Sequence, residues 1–175
     1  MIKKHREPCV LFLEHIFSPY AERLKQEHFT VRCFAESFPG PDGVSPKQSV
    51  KDPAIIRLCN RNGWLLLTTD SSMHKTHTEL IKTTEVAILA TAHNNADSIK
   101  EWIDVLIGIK PKIERHFKNY ERPWFATFTH DGDIHIQTVG KDKACRRHRP
   151  KEWEVAPAPE VIPVAEKSNG NAKAS

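Results

Sequence analysis

The residues best placed to do chemistry are acids at the ends of apolar runs. "CVLFLE" closes on Glu14 and "WLLLTTD" closes on Asp70, while Asp52 opens the stretch "DPAIIRLCNRNG" that leads into the second run. Short apolar runs of this kind read as fully buried strands, and parallel α/β sheets place their ligand sites just beyond the carboxyl ends of the strands. With right-handed crossovers, the loop before the Asp52 helix falls on that same edge. Three carboxylates far apart in sequence are therefore expected on one rim of the fold. Left unneutralised, they repel and raise one another's pKa. A divalent cation removes that penalty, and Mg²⁺ or Mn²⁺ suits a site with oxygen ligands only. Such a centre polarises a phosphoryl group and activates water for in-line attack on a phosphodiester.

Each acid also has a purely structural account. Asp52 before Pro53 has the signature of an N-cap with proline at the first helical position, and capping and ligation explain it equally well. Asp70, followed by "SS", could cap the next helix, although an acid so abruptly after buried residues favours ligation. Glu14 could simply meet solvent. "MHKTHTE" (73–79) sets His74, Lys75 and His77 beside Asp70, where Lys75 and His74 would meet phosphate oxygens. A zinc pair from the two histidines has no further Cys or His nearby. "THDGDIH" (129–135) gathers His130, Asp131, Asp133 and His135, but turn chemistry accounts for Asp131-Gly132. Trp64, Trp102, Trp124 and Phe125 lie in apolar patterns and read as core.

These residues need a scaffold, and the chain supplies an alternation of strands and helices. After the strand ending at Glu14, "SPYAERLKQEH" (18–28) predicts a helix with Ser18 as N-cap and Pro19 at the first turn. "FTVRCF" (29–34) alternates as a half-covered strand, and the Pro/Gly/Ser-rich 35–50 reads as a long loop on the rim of the site. Residues 52–63 predict a helix stopped by Gly63, 64–70 a strand, 75–83 a short helix and 85–90 a strand. Residues 96–120 predict a helical segment divided at Gly108 and Pro111. "PWFATFTHDGDIHIQTV" (123–139) predicts a hairpin with a two-residue Asp-Gly turn. Together these give a mostly parallel sheet covered on both faces, with an antiparallel hairpin at its end.

Composition sets the bounds. Of 175 residues, 39% are hydrophobic and 27% charged, enough for one folded domain, placed at 7–140. From 141 onward a basic run, "KDKACRRHRPKE", passes into a Pro/Ala-rich stretch, and 141–175 is expected to be a disordered tail. Its "CRRHRPK" could add nonspecific affinity for RNA, or be only a solvated tail. The net charge of +4 permits a polyanionic partner without requiring one. No run is long enough for a membrane span, and "MIKKHREP" lacks a signal peptide's apolar segment, so a cytoplasmic protein is expected. Cys9, Cys33, Cys59 and Cys145 show no paired spacing and are expected to be reduced.

The order of these pieces resembles the PIN-like nuclease domains, in particular the single-domain PIN-like proteins grouped with VapC-type toxins. The resemblance rests on "LFLEHIFSPYAERL", on "KDPAIIRLCNRNGW", and on "LLLTTDSSM" with its Thr-x-Asp (Thr68 to Asp70). Downstream it continues through Glu79, "VAILA", "IKEWIDVLIGIKPKIERHF" and "PWFATFTHDGDI". It implies a three-layer α/β/α domain with a mostly parallel central sheet and a C-terminal antiparallel hairpin, and a Mg²⁺- or Mn²⁺-dependent ribonuclease site. Glu14, Asp52 and Asp70 take the places of the family's metal-binding and catalytic acids, with Thr68, Ser72 and Glu79 as supporting candidates and His74 and Lys75 as RNA contacts. Where the family usually has aspartate this chain has Glu14, and where many members carry a further acid it has Ser72. RNA and a cognate antitoxin are the implied partners, and a homodimer is compatible with the same reading. The alternative is a catalytically impaired PIN-like module that binds RNA or protein. A phosphatase on another parallel-sheet fold would need an Asp-x-Asp after the first strand, which "LEHIF" lacks.

Overall fold

The apolar runs become strands because only a sheet covered on both faces can bury residues pointing both ways. In the computed structural model, which describes residues 8–43, 50–92, 99–137 and 139, the strands are β1 (Val10–Leu13), β2 (Thr30–Cys33), β3 (Leu65–Thr68), β4 (Ala87–Thr91), β5 (Trp124–Phe128) and β6 (Ile134–Gln137). They form one six-stranded sheet in the order β2-β1-β3-β4-β5-β6. All neighbours are parallel except β5 and β6, which are antiparallel. The chain is thus α/β, as expected, and its first five strands follow a doubly wound order in which β1 and β3 flank the point where the winding reverses. The tail 141–175 lies outside the described residues.

Alternation along each strand divides the core. Leu11, Leu13, Leu65, Leu67, Ala87, Leu89, Ala126 and Phe128 face one way. Phe12, Leu66, Ile88, Ala90 and Phe125 face the other. The first face is covered by a 3-10 turn (His15–Tyr20), α1 (Ala21–Gln26), α6 (Ile99–Gly108) and α7 (Lys110–Asn119). The second is covered by α2 (Phe34–Ser37), α3 (Asp52–Asn62), α4 (Met73–Thr76) and α5 (Thr78–Lys82). The β3→β4 and β4→β5 connections run the same way along the sheet but over opposite faces. They are therefore of opposite hand, so one departs from the right-handed crossover rule.

Three local expectations are corrected. The helix predicted from Ser18 begins instead as a 3-10 turn at His15, with Glu14 as its N-cap and Pro19 inside it. Ser18 donates its hydroxyl back to the Glu14 carbonyl at 3.4 Å. Proline's ring fixes φ at about −65°, a value that 3-10 and α-helical turns share, so the Ser18-Pro19 signal fits either. The loop predicted over 35–50 starts with helix α2, and 44–49 lie outside the described residues. The hairpin turn is longer than two residues. Gly132 N–H donates to the Thr129 carbonyl and Thr129 N–H to the Asp133 carbonyl, each at 3.0 Å. Gly132 has φ +80°, so this is a three-residue loop ending in a left-handed glycine bulge.

Other stops fall where expected. Gly63 ends α3 at φ 67° in the left-handed region, as a helix-terminating glycine does. Ile109 separates α6 from α7. Cys9, Cys33 and Cys59 are free thiols. Burial pushes the Cys9 thiol up to about 12, with Glu114 adding to it.

Gly132 and Gly108 are contrasting tests of this packing. A Cβ on Gly132 would lie 2.8 Å from Ile109 Cγ2, on a backbone already at positive φ. Gly132→Ala is expected to cost at least about 1–2 kcal/mol and to lower the Tm by several degrees. Gly108 has nothing within 4 Å of such a Cβ. Gly108→Ala is expected to stabilise by about 0.4–1 kcal/mol. Thermal melts in which both variants shift the same way would contradict this placement.

Candidate acidic site at the carboxyl edge of the sheet

Glu14 is the first residue beyond β1, and its N–H donates to the Leu67 carbonyl at 3.3 Å, carrying the β1–β3 ladder one step further. It caps the 3-10 turn with its backbone only, which leaves its side chain for β3. Thr68 Oγ1 donates to Glu14 Oε2 at 2.7 Å. The same oxygen accepts the Asp70 N–H at 3.0 Å. Thr68 is fully buried, so one hydroxyl proton and one lone pair join the ends of the two central strands.

Asp70 sets the turn that follows. Its Oδ1 accepts the Ser72 N–H at 2.8 Å and the Ser72 hydroxyl at 2.6 Å. This is an Asx-type turn, and it positions Ser72 as N-cap of α4. Asp70 is therefore not itself the cap of the next helix, a role that falls to Ser72.

The capping account of Asp52 is overturned. Lys51 is the N-cap of α3, Asp52 is the first helical residue, and no side chain caps this end. With its own backbone already helical, Asp52 turns its carboxylate to another element. Its Oδ2 lies 3.2 Å from His77 Nε2. The two side chains are 37% and 23% exposed, respectively. Sequence reasoning weighed His77 only as half of a zinc pair and missed this contact, because the two residues are 25 positions apart.

The carboxyl of Glu14 is shifted by its surroundings. Burial pushes its carboxyl above the ordinary value. The Thr68 hydroxyl pulls it back, Asp52 pushes it up, the Thr69 backbone lowers it and Asp70 raises it again. Both predicted partners therefore act on Glu14. Among the described residues Glu14 forms no ion pair. Buried Cys59, on α3, is held protonated, first by burial and then by the Glu14 charge.

The remaining candidates divide. Ser72 and Thr68 join the site as hydrogen-bond donors. Glu79 does not: it faces solvent and pairs with Lys82 at 3.6 Å. His74, expected to meet phosphate, is buried, its ring 4.6 Å from that of Phe125. Burial, and then Lys75, lower its pKa. Lys75 is exposed. His130 stacks on Trp102 at 3.9 Å, and Asp131 and Asp133 belong to the hairpin turn.

In donor type and charge the three acids suit a hard divalent cation, since all are carboxylates and no Lys or Arg neutralises Glu14. In distance they are not yet assembled for one. Among the described residues, no three His, Cys, Asp or Glu side chains form a group that could hold a metal ion.

Glu14 makes stability fall with pH. Its folded pKa lies above the unfolded one, so its contribution is complete below the ordinary glutamate range and is lost as pH rises through the folded value. In EDTA, the Tm of wild type relative to Glu14→Gln is expected to drop as pH rises above the ordinary glutamate range; a gap that is constant, or that grows with pH, would contradict the placement. Thr68→Val removes both bonds of the bridging hydroxyl, and denaturant melts are expected to show a loss of about 1–3 kcal/mol.

Compared with protein-family models, with curated proteins and with solved structures, the chain matches none.

Proposed function

We propose that this chain is a PIN-like, metal-dependent ribonuclease that hydrolyses phosphodiester bonds at the rim formed by Glu14, Asp52 and Asp70. The observation that carries this reading is the Thr68 bridge, which couples the Glu14 carboxylate at the end of β1 to Asp70 beyond β3. The Thr-x-Asp pattern thereby has a physical role: its threonine orients one acid and anchors the backbone of the other. The rise that Asp52 causes in the Glu14 pKa supports the third acid's part in this reading.

Glu14, Asp52 and Asp70 would hold Mg²⁺ or Mn²⁺. Bound there, the ion supplies Lewis-acid polarisation of the phosphoryl group and a lowered pKa for water. The chain's own part is orientation. Thr68 fixes Glu14, Ser72 fixes Asp70 and His77 fixes Asp52, each through one carboxylate oxygen. Action in the cytoplasm with a cognate antitoxin belongs to the same proposal and rests on the family resemblance. Among the described residues, no helix is long and apolar enough to cross a membrane.

The second reading is an impaired module that binds RNA or protein. It is favoured by the fact that every acid already has a protein partner while no three of them form a metal-holding group.

Cleavage of RNA with Mn²⁺ separates the two. Under the first reading the wild type cuts, while Asp70→Asn and Asp52→Asn lose about 100-fold or more. Mn²⁺ would raise the Tm of wild type and not of Asp70→Asn. Glu14→Asp is expected to lower activity as well, because the shorter side chain no longer reaches Thr68. Uncut RNA together with a Tm indifferent to Mn²⁺ assigns the second reading.

A further inference from the structure

Helix α3 begins at the acidic rim and carries a second feature on its outer side. Ile55, Ile56 and Cys59 face the core, and Arg57 and Arg61 are exposed. Residues four apart on a helix lie one above the other, so the two guanidinium groups share a stripe, and like charges at this spacing destabilise a helix. Lys51, exposed at the N-cap, extends the positive charge toward Asp52. Lys75, two residues before the His77 that meets Asp52, adds another exposed cation at that end.

Among the described residues none of these four cations has an ion pair or hydrogen-bonded partner. Arg32, Lys100 and Lys118 are likewise exposed without an ion pair among the described residues, but they stand singly, and other cations are paired. Arg23 pairs with Asp104, Lys25 with Glu22, Lys82 with Glu79 and Lys110 with Glu114. Apart from Asp52, which is turned to His77, α3 contains no acid. Glu85 docks at the helix end through its backbone N–H on Asn60, at 2.8 Å, and forms no ion pair with either arginine.

We infer that Arg57 and Arg61, with Lys51 and Lys75 as further cations near the start of α3, form a track for the phosphate backbone of single-stranded RNA along the outer face of the helix. The inference rests on the ribonuclease reading for the identity of the polyanion. The helix rises 1.5 Å per residue, so Arg61 stands about 13 Å along the axis from Asp52 and reaches nucleotides well away from a phosphate at the rim. Arginine and lysine contacts of this kind bind without regard to sequence, and each phosphate neutralised adds about 0.7 to the salt slope for a single strand.

The test measures binding of a fluorescein-labelled 12-nucleotide oligouridine to the full chain by anisotropy, in EDTA and across a salt series. Cleavage is thereby kept out of the measurement. Arg57→Gln/Arg61→Gln is expected to weaken binding on the order of tenfold at 0.1 M salt and to flatten the slope by about 1.4. Lys100→Gln/Lys118→Gln removes the same charge from exposed positions on the α6–α7 side, and is expected to leave the slope close to that of wild type. Arg57→Lys/Arg61→Lys is expected to restore it, which separates lost charge from a damaged fold. Equal effects of the two Gln pairs would overturn the track, as would wild-type binding that α3 does not influence. Polyglutamate binding as tight as RNA binding would also overturn it, and would assign the stripe to an acidic protein partner. Altered binding with no cleavage in the Mn²⁺ assay would sink the ribonuclease reading and leave the track standing.

Discussion

The Thr68 hydroxyl is the constraint on which the site depends. It has one proton, given to Glu14, and it takes the Asp70 N–H on a lone pair. That division leaves no rotational freedom in the hydroxyl and little in the two groups it joins. A valine would keep the shape and lose both bonds, leaving an N–H and a carboxylate poorly satisfied at the edge of a buried strand. The bridge depends in turn on register. Leu13 pairs with Leu67, so the residue after β1 and the last residue of β3 arrive side by side. It also depends on side-chain length, since glutamate rather than aspartate makes the 2.7 Å contact.

Much of the scaffold could be read from the sequence, because its signals are local. Four-residue apolar runs such as "LLLT" and the Gly63 stop report on one element at a time. The failures also have local causes. Ser18-Pro19 carries the signature of a helix start, yet the chain had already turned at His15, and no residue type distinguishes a 3-10 turn from the first turn of an α-helix. Asp131-Gly132 signals a tight turn without revealing that Thr129 and Asp133 pair across a longer loop. The β4→β5 crossover could not be read at all. Its helices look like those of any α/β connection, and the face they cover is decided by packing against α1 and the 3-10 turn.

The candidate site was legible in part for the same reason. Strand-end acids are visible as interruptions of apolar runs, and the Glu14 carboxylate and the Asp70 N–H share the Thr68 hydroxyl at the ends of adjacent strands. Asp52 does start a helix, and of its two readings, cap or ligand, the structure removes the cap. Whether an acid before a proline caps a helix depends on one residue of backbone phase, and here Lys51 takes the cap. His77 became visible as its partner only once α3 and the α4–α5 junction lay together. His74, four residues after Asp70, is a core residue against Phe125, which an isolated His-x-x-His cannot reveal.

Charge balance argues for an external ligand at this rim. The partners found for the three acids are a threonine hydroxyl, a serine, backbone N–H groups and one imidazole. Hydrogen bonds from neutral donors orient a carboxylate without cancelling its charge. No Lys or Arg forms an ion pair with Glu14, Asp52 or Asp70 among the described residues. Burial holds the Glu14 carboxyl above its ordinary value, and Asp52 and Asp70 both add to that rise. A carboxylate has about four acceptor sites on two oxygens, so one engaged oxygen leaves the other able to coordinate. Under the ribonuclease proposal a divalent ion would take up the charge at this rim, while Arg57 and Arg61, which form no ion pair among the described residues, would draw the polyanion to α3.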